Sequence, residues 1–262
     1  MGKIRPMQLS LFLNELDLSN KSVCIGLSGG INSMAVLCSI KHMPEHLRPS
    51  KIFIFYAHFK EHSPDTFDFV MAGVQFAKAN FKDVHFEWTD NSVIDFFDGK
   101  KMIPHPKYSP CTHVLKVLPI AEFMAKNNID FDLVGYVRHE HKRIWGMIEK
   151  SNGMFSDGII DIRGLKKSFP ISDKDDQWCF DIVKMEIGWY PKIYDIKLKV
   201  RGKMKRIFSH NNCLPCKNMD EKQLKQVKKY YPEYYEKAMN LSNKIGAYWG
   251  RKDQGTCAVC EF

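Results

Sequence analysis

The sequence predicts an α/β fold, a doubly wound and mostly parallel sheet, followed by a smaller helical module. Three observations carry this expectation. Short apolar runs, SVCIGL (22–27), KIFIFYAHF (51–59), DVHFEWT (83–89) and DFDLVGYV (130–137), alternate with longer amphipathic stretches, the pattern of parallel strands joined by crossover helices. The first run ends in Ser-Gly-Gly where a helix should begin. Two CxxC pairs, Cys213/Cys216 and Cys257/Cys260, lie in the last fifty residues.

The elements come in this order. MQLSLFLNELD (7–17) reads as a leading helix or arm, and SVCIGL as a strand buried on both faces. NSMAVLCSIKHM (32–43) has helical spacing and stops before Pro44. KIFIFYAHF is the second strand, and PDTFDFVMAGVQFAKAN (64–80) a helix with Pro64 and Asp65 as start signals. DVHFEWT is the third strand; SVIDFFDGK (92–100) is short and ambiguous. A proline-rich loop, PHPKYSPC, leads to the helix THVLKVLPIAEFMAKNN (112–128), where Pro119 marks a break or a restart. DFDLVGYV is the fourth strand, followed by the helix HEHKRIWGMIEK (139–150). From Ser151 to Gln177 the chain turns rich in Gly, Ser and Asp, and a soft boundary near Lys167 divides it into 1–167 and 168–262. Beyond it a helix starts at Asp175 or Asp176, and two more meet near Pro232. No repeat or low-complexity tract is present.

With 262 residues, 44% hydrophobic and 26% charged, the chain has the composition of a soluble domain. No apolar stretch approaches a bilayer span, and the N-terminus lacks a secretory cleavage pattern, so a cytoplasmic protein without membrane contact is expected. The net charge is +9, and residues 182–252 carry 17 Lys or Arg against 6 Asp or Glu. That basic third suggests a polyanion such as nucleic acid, or an anionic substrate; a solvated lysine-rich helix face is the alternative. The tyrosines of KKYYPEYYEK (228–237) either stack on bases or pack two helices together.

A strand–SGG–helix junction suits an anion. Glycines turn the backbone sharply and leave its amides unshielded, while the following helix aims its positive end at the same point. Ser28 and Ser33 add hydroxyls, and Asn32 is placed to cap the helix. Neither GxxxxGK[ST] nor GxGxxG is present. The alternative is a glycine turn that only packs strand on helix.

SGGINS resembles the SGGxxS loop of the PP-loop superfamily, the adenine nucleotide alpha-hydrolase-like, HUP-like fold, and within it the PAPS reductase-like family. SPDT after the second strand, SPCTHVLKVLPI, LVGYVRHEHKR, and FPISDKDDQW with IGWYPKIY and NNCLPC resemble further segments of that family in order. The resemblance implies an adenine nucleotide, ATP with Mg2+, lying across the strand ends. Its phosphates would meet Ser28, Gly29, Gly30, Asn32 and Ser33, and Leu27 and Gly135 are also candidate nucleotide-binding residues. Its adenine would meet backbone at Tyr56, Ala57 and His58. Lys116, Arg138 and Arg143 are the candidate catalytic cations, with helix-surface charges as the alternative. Such enzymes adenylate a substrate and release pyrophosphate; the acceptor here would be a nucleobase or other small polar group, with sulfur transfer one outcome. Two other readings stand beside this one: a thiol-dependent sulfonucleotide reductase, and a nucleotide-binding partner protein without turnover. Three departures bear on them. Asn32 stands where active members carry Asp, a single Cys111 stands where assimilatory reductases pair two, and GTCAVCEF replaces the reductase tail.

Four thiolates, Cys213, Cys216, Cys257 and Cys260, suit a tetrahedral structural Zn2+, with a [4Fe-4S] cluster as the alternative. Cys24, Cys38, Cys111 and Cys179 read as core, Cys111 being the one nearest the pocket. His139 and His141, two apart, share no helix face and are not a metal pair. Oligomeric state is left open.

Overall fold

The computed structural model describes residues 16–105, 108–151, 155–156, 159–162, 165–200 and 202–251. Seven strands form one sheet: β1 (Ser22–Gly26), β2 (Lys51–Phe59), β3 (Val84–Asn91), β4 (Phe131–Leu133), β5 (Phe155–Ser156), β6 (Ile159–Ile162) and β7 (Leu165–Ser168). Their order is β3-β2-β1-β4-β7-β6-β5. The pairs from β3 through β7 are parallel, while β6 runs antiparallel to both β7 and β5. Helices cover both faces, so Val23, Cys24 and Ile25 of the central strand are all fully buried, as their continuous apolar run requires.

The helices are α1 (Ile31–Lys41), α2 (Thr66–Asn80), α3 (Val93–Lys100), α4 (Pro110–Thr112), α5 (Leu118–Lys126), α6 (His141–Lys150), α7 (Asp176–Glu186), α8 (Glu221–Tyr230) and α9 (Pro232–Ile245). On one face α1, α2 and α7 bury Leu37, Phe69 and Val183 against Ile25 and Ile54. On the other, Phe123 and Met124 of α5 pack on Cys24, Phe53 and Phe55. A satellite cluster joins Ile144 of α6 to Ile160 and Phe169. Among the described residues no helix is long and apolar enough to cross a membrane.

Several expectations are refined. Pro119 marks a restart: a π-helical segment, His113–Val117, precedes α5, and the proline sits in its first turn, where no amide is needed. SVIDFFDGK is the helix α3, with Ser92 accepting from the Asp95 amide as its cap. Asp65 precedes α2 without capping it; its carboxylate accepts instead from Ser63 Oγ and the Lys192 amide. The fourth strand shortens to three residues. The Gly- and Asp-rich stretch folds into β5–β7, and Lys167 lies within β7, paired with Asp132 of β4. A second, two-stranded sheet, β8 (Lys197–Val200) and β9 (Lys203–Arg206), was not anticipated.

Candidate functional site

After β1 the chain builds outward to β2 and β3 on one side, then returns to place β4 on the other side of β1. That reversal opens a crevice at the carboxyl ends of β1 and β4, where ligands of such sheets bind. The Ser-Gly-Gly loop follows β1 and Gly135 follows β4, so both walls of the crevice come from segments the sequence singled out.

The loop is braced from within and from three distant segments. Gly29 adopts φ +76, and a Cβ there would lie 2.2 Å from Thr66 Cγ2, so no other residue fits. The Ser28 amide donates to Ser33 Oγ at 3.1 Å, and Ser33 Oγ donates to the Gly30 carbonyl at 3.1 Å. The buried Asn211 donates through Nδ2 to the Gly29 carbonyl (3.0 Å) and to Thr66 Oγ1 (2.8 Å). The Tyr194 hydroxyl accepts from the Ile31 amide (3.1 Å) and the Asn211 amide (3.2 Å); burial pushes its pKa up to about 12, so the phenol stays neutral. Gly135 closes the far wall, where a Cβ would stand 2.8 Å from the Asn32 carbonyl.

This bracing decides which amides remain for a ligand. The amides of Ser28, Gly30 and Ile31 are engaged within the protein. Those of Gly29, Asn32 and Ser33 have no protein partner among the described residues, the last two because they open α1. Gly30, not Asn32, occupies the cap position of α1, and no side chain caps it.

One strand away, β1 pairs with β2 only as far as Phe55. The His58 carbonyl accepts from Asn91 Nδ2 and the Lys60 amide donates to Asn91, so even-numbered residues here face β3. By strand alternation the amide and carbonyl of Ala57 face the other way, into the crevice beyond the end of β1. Nearby, the Tyr56 hydroxyl and His62 Nδ1 share a hydrogen bond of 2.9 Å. His62 is 4% exposed, and its Nε2 has no partner among the described residues. Burial, then the charges of Lys116 and His58, hold its pKa well below the usual range.

The three candidate cations are placed differently. Lys116 Nζ stands 5.0 Å above the Phe59 ring, at the end of β2. Arg138 donates through Nε and Nη2 to the Asp173 carbonyl at 2.9 and 2.6 Å. Arg143 pairs with the buried Glu140 at 2.5 Å and lies over Tyr136.

The first CxxC turn docks beside this crevice. The Leu214 amide donates to the Glu61 carbonyl, and the Asn218 amide to Cys216 Sγ at 3.5 Å. Cys111 packs partly buried against the main core and also lies near this turn, with Cys216 and Lys217 among its charged neighbours; beside it Asn218 Nδ2 donates to Ser109 Oγ, and Lys217 Nζ to the His105 carbonyl. Lys217 is 2% exposed. Burial lowers its pKa, while the neighbouring Cys111 and Cys216 act in the opposite direction. Burial raises the Cys111 thiol, and Cys216 adds to that rise. Trp249 Nε1 donates to the Pro215 carbonyl and the Arg251 amide to the Met219 carbonyl, pinning residues 249–251 on the same turn. Cys257 and Cys260 lie outside the described residues. Among the described residues no group of three His, Cys, Asp or Glu side chains is arranged to hold a metal.

Thr66, Tyr194 and Asn211 brace the candidate loop and were not among the candidate site residues. All three lie in motif segments (SPDT, IGWYPKIY and NNCLPC), but none carries a charge or nucleophile that would single it out.

No known protein family matches the sequence, and no curated protein does. Solved structures similar to the chain include the U34-tRNA thiolase NcsA from Methanococcus maripaludis with its [4Fe-4S] cluster. It is 13% identical at a TM-score of 0.45, over 96% of this chain and 80% of that one. A phosphoadenylyl-sulfate (PAPS) reductase from Candida auris in a phosphate complex is 16% identical, TM-score 0.40, over 74% and 85%. An NMN synthetase from Francisella tularensis is 12% identical, TM-score 0.43, over 97% and 100%. Likeness at this level leaves the chemistry of the chain to be read from its own residues.

Proposed function

We propose that the crevice binds ATP and that the chain is an adenylating enzyme of PP-loop type. One observation carries this reading. Three unpartnered amides, of Gly29, Asn32 and Ser33, open on the switch point of the sheet, one strand from the free amide and carbonyl of Ala57. The amides suit phosphate oxygens; a paired backbone donor and acceptor suits the edge of adenine. An acceptor oxygen would attack the α-phosphorus, the bond to the bridging oxygen would break, and pyrophosphate would leave with the electron pair while the acceptor's proton passes to solvent. Lys116 is the best-placed cation for the charge that develops, because Arg138 and Arg143 already have protein partners. The loop itself contains no carboxylate. Mg2+ would therefore arrive on the triphosphate, whose oxygens supply most of its ligands.

Gly29→Ala should abolish binding of a non-hydrolysable ATP analogue in calorimetry, and Lys116→Ala should spare binding while lowering pyrophosphate release about 100-fold. Unimpaired binding by Gly29→Ala would sink the proposal. A second reading, a nucleotide-binding partner without turnover, is favoured by the engagement of both arginines and by Asn32. Binding without pyrophosphate release across candidate acceptors would establish it. The reductase reading is less favoured, since Cys111 sits with Cys216 and Lys217 on the CxxC turn. Sulfite release from adenylyl sulfates is its test.

We also infer a thiolate-bound metal at Cys213 and Cys216, completed by Cys257 and Cys260. The first turn brings two cysteines together, and with residues 249–251 pinned on it only five residues separate Arg251 from Cys257. Bound there, Zn2+ supplies a structural cross-link and a cluster a redox centre.

A further inference from the structure

We propose that the β8–β9 hairpin and the end of α8 form a docking surface for single-stranded nucleic acid, independent of ATP. The hairpin segment KLKVRGKMKR carries six Lys or Arg and no acid. Lys197, Lys199, Lys203 and Lys205 are exposed, and none makes a side-chain hydrogen bond or ion pair among the described residues. Lys197 stands directly opposite Arg206 across the ladder, while the Arg206 guanidinium lies 3.8 Å from the centre of the Phe180 ring, so the lysines are left as the exposed cations of a two-stranded sheet already marginal on its own. Lysine on a strand edge guards against aggregation, but that needs one or two charges, not an unrelieved cluster. A polyanion relieves it.

The occupant is argued from what lies beside the lysines. Lys197 and Met204 line a groove of about 440 Å³ with Lys192, Asp195, Ile196, Tyr230 and Tyr231. Asp195 is the one acid in it. Tyr230 is 47% and Met204 63% exposed. A groove with phosphate-binding cations on one wall and an accessible aromatic face on the other suits unstacked bases, which a duplex does not present. The surface is also tied to the nucleotide crevice. The Ile207 amide closes the hairpin base on the Ile196 carbonyl, and three residues before β8 the Tyr194 hydroxyl holds the Ser-Gly-Gly loop.

The test is fluorescence anisotropy of the full chain without ATP. The probes are labelled oligouridylate, oligodeoxythymidylate and a mixed-sequence duplex, each about 12 nucleotides long. A single strand should bind at least about 10-fold tighter than the duplex. Replacing Lys197, Lys199, Lys203 and Lys205 with Gln should weaken it about 10-fold or more and flatten the salt dependence by about 3 log units per log unit. Lys199→Gln alone should flatten it by about 0.7, and Tyr230→Ala should weaken binding at least about 5-fold. ATP-analogue affinity of the lysine variant should stay unchanged and its thermal melt should not fall, which separates this surface from the nucleotide site. Preference for uridylate identifies RNA, and for deoxythymidylate DNA; either supports the proposal. Duplex preference, no binding, or full binding by the lysine or tyrosine variant overturns it.

Discussion

His62 shows how one residue links burial to pH. Its ring is enclosed by Tyr56, Phe59 and the neighbouring His58, and Lys116 adds a nearby positive charge. Protonation would bury an uncompensated cation, so the folded pKa is depressed while the unfolded chain titrates near ~6.5. The unfolded state then binds the extra proton, and the stability present above that pH is lost as pH falls through it. Between about pH 7.5 and pH 5.5 the wild type should lose about 1.4 kcal/mol more than His62→Gln. Urea titrations of both proteins at the two pH values measure the difference. Equal losses would show that the ring accepts its proton without penalty. Of this the sequence shows only a histidine near the end of a strand; the charge of Lys116 that adds to the effect comes from more than fifty residues away.

At the scale of elements, the chain after β2 is organised by a buried carboxylate. Glu61 accepts from Ser92 Oγ at 2.5 Å and from the Val93 amide at 3.0 Å, satisfying the start of α3. Its backbone carbonyl receives the Leu214 amide, so one residue joins α3 to the CxxC turn. Glu61→Ala should cost about 2 kcal/mol in chemical denaturation, and Glu61→Gln about half as much. A loss below ~0.5 kcal/mol would mean water caps the helix equally well. The ambiguity of SVIDFFDGK has this cause: eight residues are short for a helix to hold by propensity alone, and the carboxylate that holds its cap, Ser92, lies about thirty residues upstream.

For the whole molecule, the carboxyl-terminal segments are a brace as much as an appendage. Tyr194 and Asn211 hold the loop after β1, while Trp249 and Arg251 hold the CxxC turn. With the proposed thiolate-bound metal, Cys213→Ser or Cys216→Ser should lower the metal content read by elemental analysis and lower the melting temperature by several degrees. ATP-analogue affinity should weaken too, because Asn211 is only two residues from Cys213. Anaerobically purified protein should be colourless with zinc and brown with a cluster. Full metal content in both variants would remove the thiolate site.

The sequence by itself determined the alternation of strands and helices, the glycine turn after β1 and the cysteine pairs. Each is set by local sterics, periodicity or ligand chemistry within a few residues. Only the tertiary structure decided which loop amides stay open, because Ser28, Gly30 and Ile31 are satisfied by geometry that includes a tyrosine 163 positions away from Ile31. It likewise engaged Arg138 with Asp173, placed Cys111 near Cys216 and Lys217, and set Gly135 against Asn32. Hydrogen-bond partners and close approaches between distant segments are set by strand order and crossover, and no window along the chain contains them.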